Sequence, residues 1–153
     1  RLTYTEAIEM LQDAGEDAVW GEDFSKAHER RLTELVGVEA FFVKDWPSVQ
    51  KAFYAMPHMD DPDLVHAFDL LYGGVEISSG TQRIHIPELL REQLRRKGLD
   101  PADFAHYIES FSYGAPPHAG WSIGLERLTM AVTGVANIRE CCMFPRDRDR
   151  LVP

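Results

Sequence analysis

Cysteine is scarce in this sequence. There are two, Cys141 and Cys142, and they are neighbours. A bridge between adjacent cysteines closes a strained ring, and neither has the further Cys or His partners that a zinc site needs. Both read as small buried apolar residues. Long apolar runs are missing as well. No stretch approaches the ~18 residues of a membrane span, and Arg1-Leu2-Thr3-Tyr4 has no signal-peptide core. No membrane partner is expected, and the expected compartment is the cytoplasm. Positive charge is the third shortage: 16 Lys and Arg against 25 Asp and Glu leave a formal net charge of −9. That balance argues against a general nucleic-acid-binding surface, which is normally basic.

What is present points to a folded domain. Apolar residues make up 44% of the 153, enough for a packed core, and the length suits one domain. Thr3-Tyr4-Thr5-Glu6 has the form of a capping box. Ala7, Ile8, Met10, Leu11 and Ala14 follow at helical spacing, and Gly15 stops the run. A second helix is predicted from about Ser25 to Val36, ended by Gly37. Ala40-Phe41-Phe42-Val43 reads as a short buried strand closed by Asp45-Trp46-Pro47, and Phe53-Tyr54-Ala55-Met56 as another closed by Pro57. An acidic loop, His58 to Asp63, comes next.

Val65–Tyr72 and Val75–Ser79 are β-rich runs joined by Gly73-Gly74, a strong hairpin signal. Pro87 and Gly98 bracket a helix whose last turn carries Arg95, Arg96 and Lys97, suited to its negative dipole end. Asp100-Pro101 starts another, with Phe104, Ile108 and Phe111 on its apolar face. Pro116-Pro117-His118 is a rigid turn. Ala119–Ile123 reads as a strand, Gly124 as its exit and Leu125–Thr133 as a helix ended by Gly134. Ile138–Phe144 is a last apolar segment before a charged tail, Arg146 to Arg150. Tight hairpins imply antiparallel pairing, so the predicted class is α+β, a mainly antiparallel sheet flanked by helices.

Chemistry concentrates in two places. With a two-residue turn at Gly73-Gly74, strict alternation sets Leu71 opposite Glu76 and Asp69 opposite Ser78, with Asp69, Glu76 and Ser78 on one face. The other face carries Phe68, Leu70, Tyr72, Val75 and Ile77 and reads as the core face. Two carboxylates on one face repel unless they are solvated, share a proton or hold a cation. Oxygen-only donors favour a hard ion such as Mg²⁺; the plainer reading is a polar outer face. Gly80 inside a strand pattern suggests a bulge or a close backbone approach. Arg83 offers a planar fork that matches a carboxylate, although Arg83 and His85 also suit a plain surface. Near the C-terminus, strand, Gly124 and helix form an N-terminus that attracts phosphate, with Arg127 in the first turn. The plainer reading there is an Arg paired with an acidic neighbour.

Together these segments resemble a known family. Phe68-Asp69-Leu70-Leu71-Tyr72-Gly73-Gly74-Val75-Glu76-Ile77-Ser78-Ser79-Gly80-Thr81-Gln82-Arg83-Ile84-His85 resembles the ATP and amino-acid strand pair of class II aspartyl-tRNA synthetases, of the archaeal-type, often non-discriminating branch. Pro116-Pro117-His118-Ala119-Gly120 through Glu126-Arg127-Leu128 resembles class II motif 3, at about residues 116–132. Phe53-Tyr54-Ala55-Met56-Pro57, Asn137-Ile138-Arg139-Glu140 and Phe144-Pro145-Arg146-Asp147 fit as well, so the likeness runs over nearly the whole chain. An asparaginyl enzyme fits less well, because Gln82-Arg83-Ile84-His85 and Pro117-His118-Ala119-Gly120 look aspartyl.

The resemblance implies the C-terminal half of a catalytic domain that activates L-aspartate with ATP and passes it to tRNA. It implies that Asp69 and Glu76 bind ATP through Mg²⁺ with Ser79 assisting, which requires a local bulge before Gly80. Arg83 would hold the aspartate side-chain carboxylate. Arg127 would contact the ATP phosphates and cover the adenine, and with Glu76 it forms the implied catalytic pair. Gly124 would let the nucleotide approach closely, and His118 and Gly120 would shape the adenylate pocket. The implied partners of the full-length protein are L-aspartate, ATP, tRNA(Asp) and possible tRNA(Asn), with a homodimeric assembly. Motif 1, motif 2 and an anticodon-binding barrel are not found, and Arg150-Leu151-Val152-Pro153 matches a natural C-terminus, so an N-terminally truncated fragment is expected. Two other readings stay open: an aspartate-activating paralogue like the archaeal asparagine synthetase relatives, and a non-catalytic module that binds nucleotide or a protein partner.

Overall fold

Residues 1–152 are described by a computed structural model; Pro153, the last residue of the expected closing segment, lies outside the described residues. Two helices open the chain where the sequence predicts them, and both are capped. Helix α1 (Tyr4–Asp13) starts at Thr3, whose hydroxyl accepts from the Glu6 N–H while the Glu6 carboxylate accepts from the Thr3 N–H. Helix α2 (Lys26–Val36) starts at Ser25, and Gly37 closes it with φ of 71°, a left-handed cap that suits glycine.

A five-stranded sheet follows in the order β1 (Leu2–Thr3), β2 (Ala40–Pro47), β3 (Leu64–Tyr72), β4 (Val75–Arg83) and β5 (His118–Ile123). Only β1 pairs in parallel, over two residues; nothing in its sequence announced a strand. The rest is antiparallel. At the hairpin tip Gly73 and Gly74 have φ of 57° and 79°, the double positive turn that matches strand twist. The remaining elements are α3 (Pro87–Arg96), a 3-10 turn (Pro101–Phe104) leading into α4 (Ala105–Phe111), α5 (Leu125–Thr133) and a closing 3-10 turn (Ile138–Cys141).

Several elements differ from the sequence reading. β2 does not stop at Asp45; it bulges there and pairs on to Pro47. Phe53–Met56 is not a ladder strand. Beyond the Ala67–Thr81 pair, β3 and β4 diverge, and Tyr54–Pro57 fills the gap: Met56 donates to Gln82 O, His66 donates to Met56 O, and Ile84 donates to Tyr54 O. β4 runs to Arg83, four residues past Ser79. Asp100-Pro101 opens a 3-10 turn before the α-helix. The apolar segment at Ile138–Phe144 is a turn with exposed Met143 and Phe144, and Cys141 and Cys142 are free and half-buried, not buried.

The core-face assignment also inverts. Val65, Ala67, Asp69 and Leu71 face the covered side, whereas Phe68, Leu70 and Tyr72 are half-buried on the other. Helices α1 and α2 lie over the first face and bury Tyr4, Ala7, Leu11 and Leu32 against Phe41, Val43 and Trp46. Tyr4 anchors an aromatic group with Trp20, Phe24 and Trp46, and its hydroxyl donates to Glu22 O at 2.7 Å. A second cluster, around Ile84, Leu90, Leu94 and Ile108, packs α3 and α4 beyond the end of β4. At the far edge, β5 exposes Trp121 and Ile123.

Leu11→Ala should lower the unfolding free energy by about 2–5 kcal/mol through the cavity it leaves. Met59→Ala, at an exposed site, should stay within about 0.5 kcal/mol. Urea titration of the two variants compares them, and equal losses would contradict this core.

Candidate functional site

The β3–β4 ladder contains one extra residue. Leu71 pairs with Glu76 and Leu70 with Ser78, so Ile77 is bulged out. After the bulge every β4 side chain changes face relative to strict alternation. Asp69 therefore pairs with Ser79, not Ser78, and Ser78 turns inward to donate to Ser122 O at 2.7 Å. Asp69, Glu76 and Ser79 share a face. The bulge also anchors the next strand: Ile77 O accepts from Gly124 N–H at 2.9 Å, and Glu76 O accepts from Arg127 Nη1 at 2.8 Å.

The register of β5 continues this row. Ser79, Thr81 and Arg83 pair with Ser122, Gly120 and His118. Lys51, Tyr54, Asp69, Ser79, Arg83 and Ser122 line a cleft of about 250 Å³. From Glu76 to Arg83 the row extends about 20 Å at strand rise, with Arg127 and Glu76 at one end and Arg83, Tyr54 and His118 at the other.

Lys51 was not singled out by the sequence. Its ammonium sits 2.8 and 3.1 Å from the Asp69 carboxylate oxygens and 3.8 Å from the Trp46 ring centre. Asp69 is only 5% exposed. Burial pushes its pKa up to about 6 and the Glu76 charge adds to this, while Lys51 opposes it without prevailing. Desolvation thus outweighs one ion pair. Glu29 of α2 was missed too. Its carboxylate accepts from the Glu76 N–H at 3.2 Å, and burial raises its pKa, with Glu76 opposing its ionisation further. No spacing rule ties Lys51 or Glu29 to residues on distant strands.

Arg127 approaches the Glu76 carboxylate at 3.5 Å, which realises the plainer reading of an arginine paired with an acidic neighbour. Gly124 has φ of −70°, and a Cβ there would meet Arg127 at an ordinary 3.5 Å, so nothing within the chain demands glycine. Gly120 differs: a Cβ would come within 2.7 Å of Arg83 Nη2. The guanidinium of Arg83 lies across Gly120 with its carbon 4.5 Å from the Tyr54 ring centre. His118 Nδ1 lies 2.9 Å from Pro116 O, and its ring stacks on Phe111 at 6.0 Å. All eight predicted site residues thus fall along one face or at its C-terminal junction.

A fixed row of carboxylates, hydroxyls and two arginines can bind an anionic, cation-carrying ligand lengthwise. Known proteins share this scaffold. The family model for class II (D, K and N) tRNA synthetases matches residues 1–148, and the chain belongs to that family. Aspartate–tRNA(Asp/Asn) ligases of Methanocaldococcus jannaschii and Archaeoglobus fulgidus are each 49% identical over the whole chain. The chain spans about a third of their length, 35%. The structure of the Entamoeba histolytica aspartyl-tRNA synthetase superposes on all of it with a TM-score of 0.93 at 46% identity, over 32% of that protein. Asparaginyl-tRNA synthetase from Pyrococcus horikoshii, complexed with asparaginyl-adenylate, gives 0.92 at 38% identity, over 36% of its chain. Among the described residues no helix is long and apolar enough to cross a membrane.

Because the folded-state pKa of Asp69 lies above its ordinary 3.8, its protonated form stabilises the fold. That contribution is complete below about pH 3.8 and is lost as pH rises through about 6. The unfolding free energy of the parent minus that of Asp69→Asn should therefore fall by on the order of 3 kcal/mol between about pH 4 and pH 7. Denaturant titrations at both pH values measure it; a pH-independent difference would mean the carboxyl is not desolvated.

Proposed function

We propose that the chain is the C-terminal part of a class II synthetase catalytic domain, residues 1–153 with motif 3 at about 116–132. In the longer protein it activates L-aspartate with ATP and transfers it to tRNA. The observation that carries this reading is the bulged β4, which aligns Asp69, Glu76 and Ser79 with Arg83 at one end and Arg127 at the other. An oxygen-only donor set of two carboxylates and a hydroxyl, one carboxylate buried beside a single lysine, suits Mg²⁺. Asp69, Glu76 and Ser79 would hold it, and it would neutralise ATP phosphate charge.

The residues divide the remaining work. Arg83, braced on Tyr54 and lying over Gly120, offers its fork to the aspartate side-chain carboxylate; a bidentate guanidinium matches a carboxylate better than an amide. His118 and Gly120 shape that end. Arg127, at the start of α5, exchanges its contact with Glu76 for the ATP phosphates and covers the adenine, and Gly124 lets the nucleotide approach the backbone. One oxygen of the aspartate α-carboxylate attacks the α-phosphorus, and the bond to the β-phosphate bridging oxygen breaks. Aspartyl-adenylate and pyrophosphate result. A tRNA terminal ribose hydroxyl then attacks the activated carbonyl and AMP leaves. Catalysis here rests on positioning and charge neutralisation and needs no side-chain nucleophile.

The partners are L-aspartate, ATP and tRNA(Asp), and tRNA(Asn) as well; the archaeal relatives, aspartate–tRNA(Asp/Asn) ligases by name, support the last. The longer protein is read as a cytoplasmic homodimer on the family resemblance.

In that longer protein, ATP–pyrophosphate exchange with L-aspartate tests the assignment. Arg83→Ala should abolish aspartate-dependent exchange while leaving ATP binding largely intact; equal loss of both would contradict its role. Gly120→Ala should displace the Arg83 guanidinium and raise KM for aspartate by about tenfold with less effect on KM for ATP. Glu76→Gln should weaken Mg²⁺-dependent ATP binding, and an unchanged magnesium dependence would remove the metal assignment.

A further inference from the structure

On the sheet face opposite Asp69, three side chains converge that the adenylation site does not use. Asp45 sits at the β2 bulge with φ of 58°, the one positive φ at a non-glycine among the described residues. His58 follows the inserted segment between β3 and β4, and His66 lies on β3. Backbone pairing sets the two histidines side by side: His58 N–H donates to Leu64 O and His66 N–H to Met56 O. Their rings stack at 3.8 Å, and His58 Nε2 lies 3.1 Å from Asp45 Oδ1. One ligand atom from each residue falls within 4.8 Å of the others.

We propose that Asp45, His58 and His66 form a binding site for a divalent first-row transition ion, for which Zn²⁺ is the probe. Ligand atoms around tetrahedral zinc stand about 3.3 Å apart, given bonds of about 2.0–2.1 Å, so small side-chain rotations close the triad. Two imidazoles with one carboxylate select a borderline ion over magnesium. Among the described residues the His66 imidazole makes no hydrogen bond, and the residue is exposed. The strained Asp45 backbone, which costs about 1–3 kcal/mol in general, turns its carboxylate toward His58. An ion here would tie the β2 bulge, the 57–58 segment and β3 together. Solvent completes its coordination, because the site opens outward beside a shallow depression lined by Phe42, Lys44 and Phe68. Lys44 competes for the carboxylate, since its ammonium pairs with Asp45; its side chain is 47% exposed and free to swing away.

Zinc titration of the untagged 153-residue chain by calorimetry, with thermal unfolding in parallel, tests the site. One Zn²⁺ per chain is expected, with Tm raised by about 5 °C at saturating metal. Loss of an outer-shell partner costs about 10–100-fold in metal affinity, and His58→Gln or His66→Gln, each removing a ligand, should cost at least that. Lys44→Ala should tighten binding by removing the competing charge, a change that a purely structural histidine pair would not produce. Glu76→Gln and the Cys141→Ser/Cys142→Ser double variant should bind zinc as the parent does. Co²⁺ should give the visible bands of a low-coordinate nitrogen and oxygen site. No binding, binding that survives both histidine substitutions, or binding lost in the cysteine variant would each overturn the proposal.

Discussion

The single extra residue at Ile77 is the constraint on which the candidate site depends. Without it, strict alternation would turn Ser79, Thr81 and Arg83 away from Asp69 and present Ser78, Gly80 and Gln82 instead. The bulge costs one ladder position but uses the freed carbonyl. Ile77 O takes the Gly124 N–H, so the irregularity in β4 fixes where β5 ends and α5 begins. Arg127 is delivered to Glu76 by the same junction. A bulge that re-aims side chains at a functional site is a recurrent device of β-sheets.

The row it creates is electrostatically uncomfortable by itself. Asp69 is buried with a pKa near 6, Glu29 and Glu76 meet through a backbone N–H, and Lys51 and Arg127 pair with the Asp69 and Glu76 carboxylates. Such tension is typical of sites built to receive a ligand that carries compensating charge. Helices α1 and α2 pack on the same face over Phe41, Val43 and Trp46, and the burial of Asp69 beside them strengthens its contact with Lys51. The opposite face bears a different donor set, two imidazoles and one carboxylate, so the proposed hard-ion and borderline-ion sites lie on the two sides of one sheet.

Much of this was legible in the residues. The capping box at Thr3, the helix start near Ser25, the Gly-Gly hairpin, the Pro87 helix start and the strand–Gly124–helix junction all follow from local backbone chemistry, and local chemistry is what a sequence states directly. The resemblance of the β3–β4 segment and of residues 116–132 to class II aspartyl enzymes fixed the family, the fold class and the requirement for a bulge near Ser79. It did so because several long motifs occur in order.

Other features depended on contacts between distant segments. The core face of β3 was inverted because its burial comes from α1 and α2, not from the alternation within the hairpin. Phe53–Met56 looked like a strand, since its composition is β-rich, but its partners are the splayed ends of two other strands. Lys51 meets Asp69 and Glu29 meets Glu76 only after the sheet and helices have packed, and His58 meets His66 only because the inserted segment pairs with β3. The sequence determined which elements form and which residues carry charge and oxygen donors, because those are set by each residue and its near neighbours. Tertiary structure decided which of them face one another, because one bulged residue and the packing of two helices choose the face, and no local pattern encodes either.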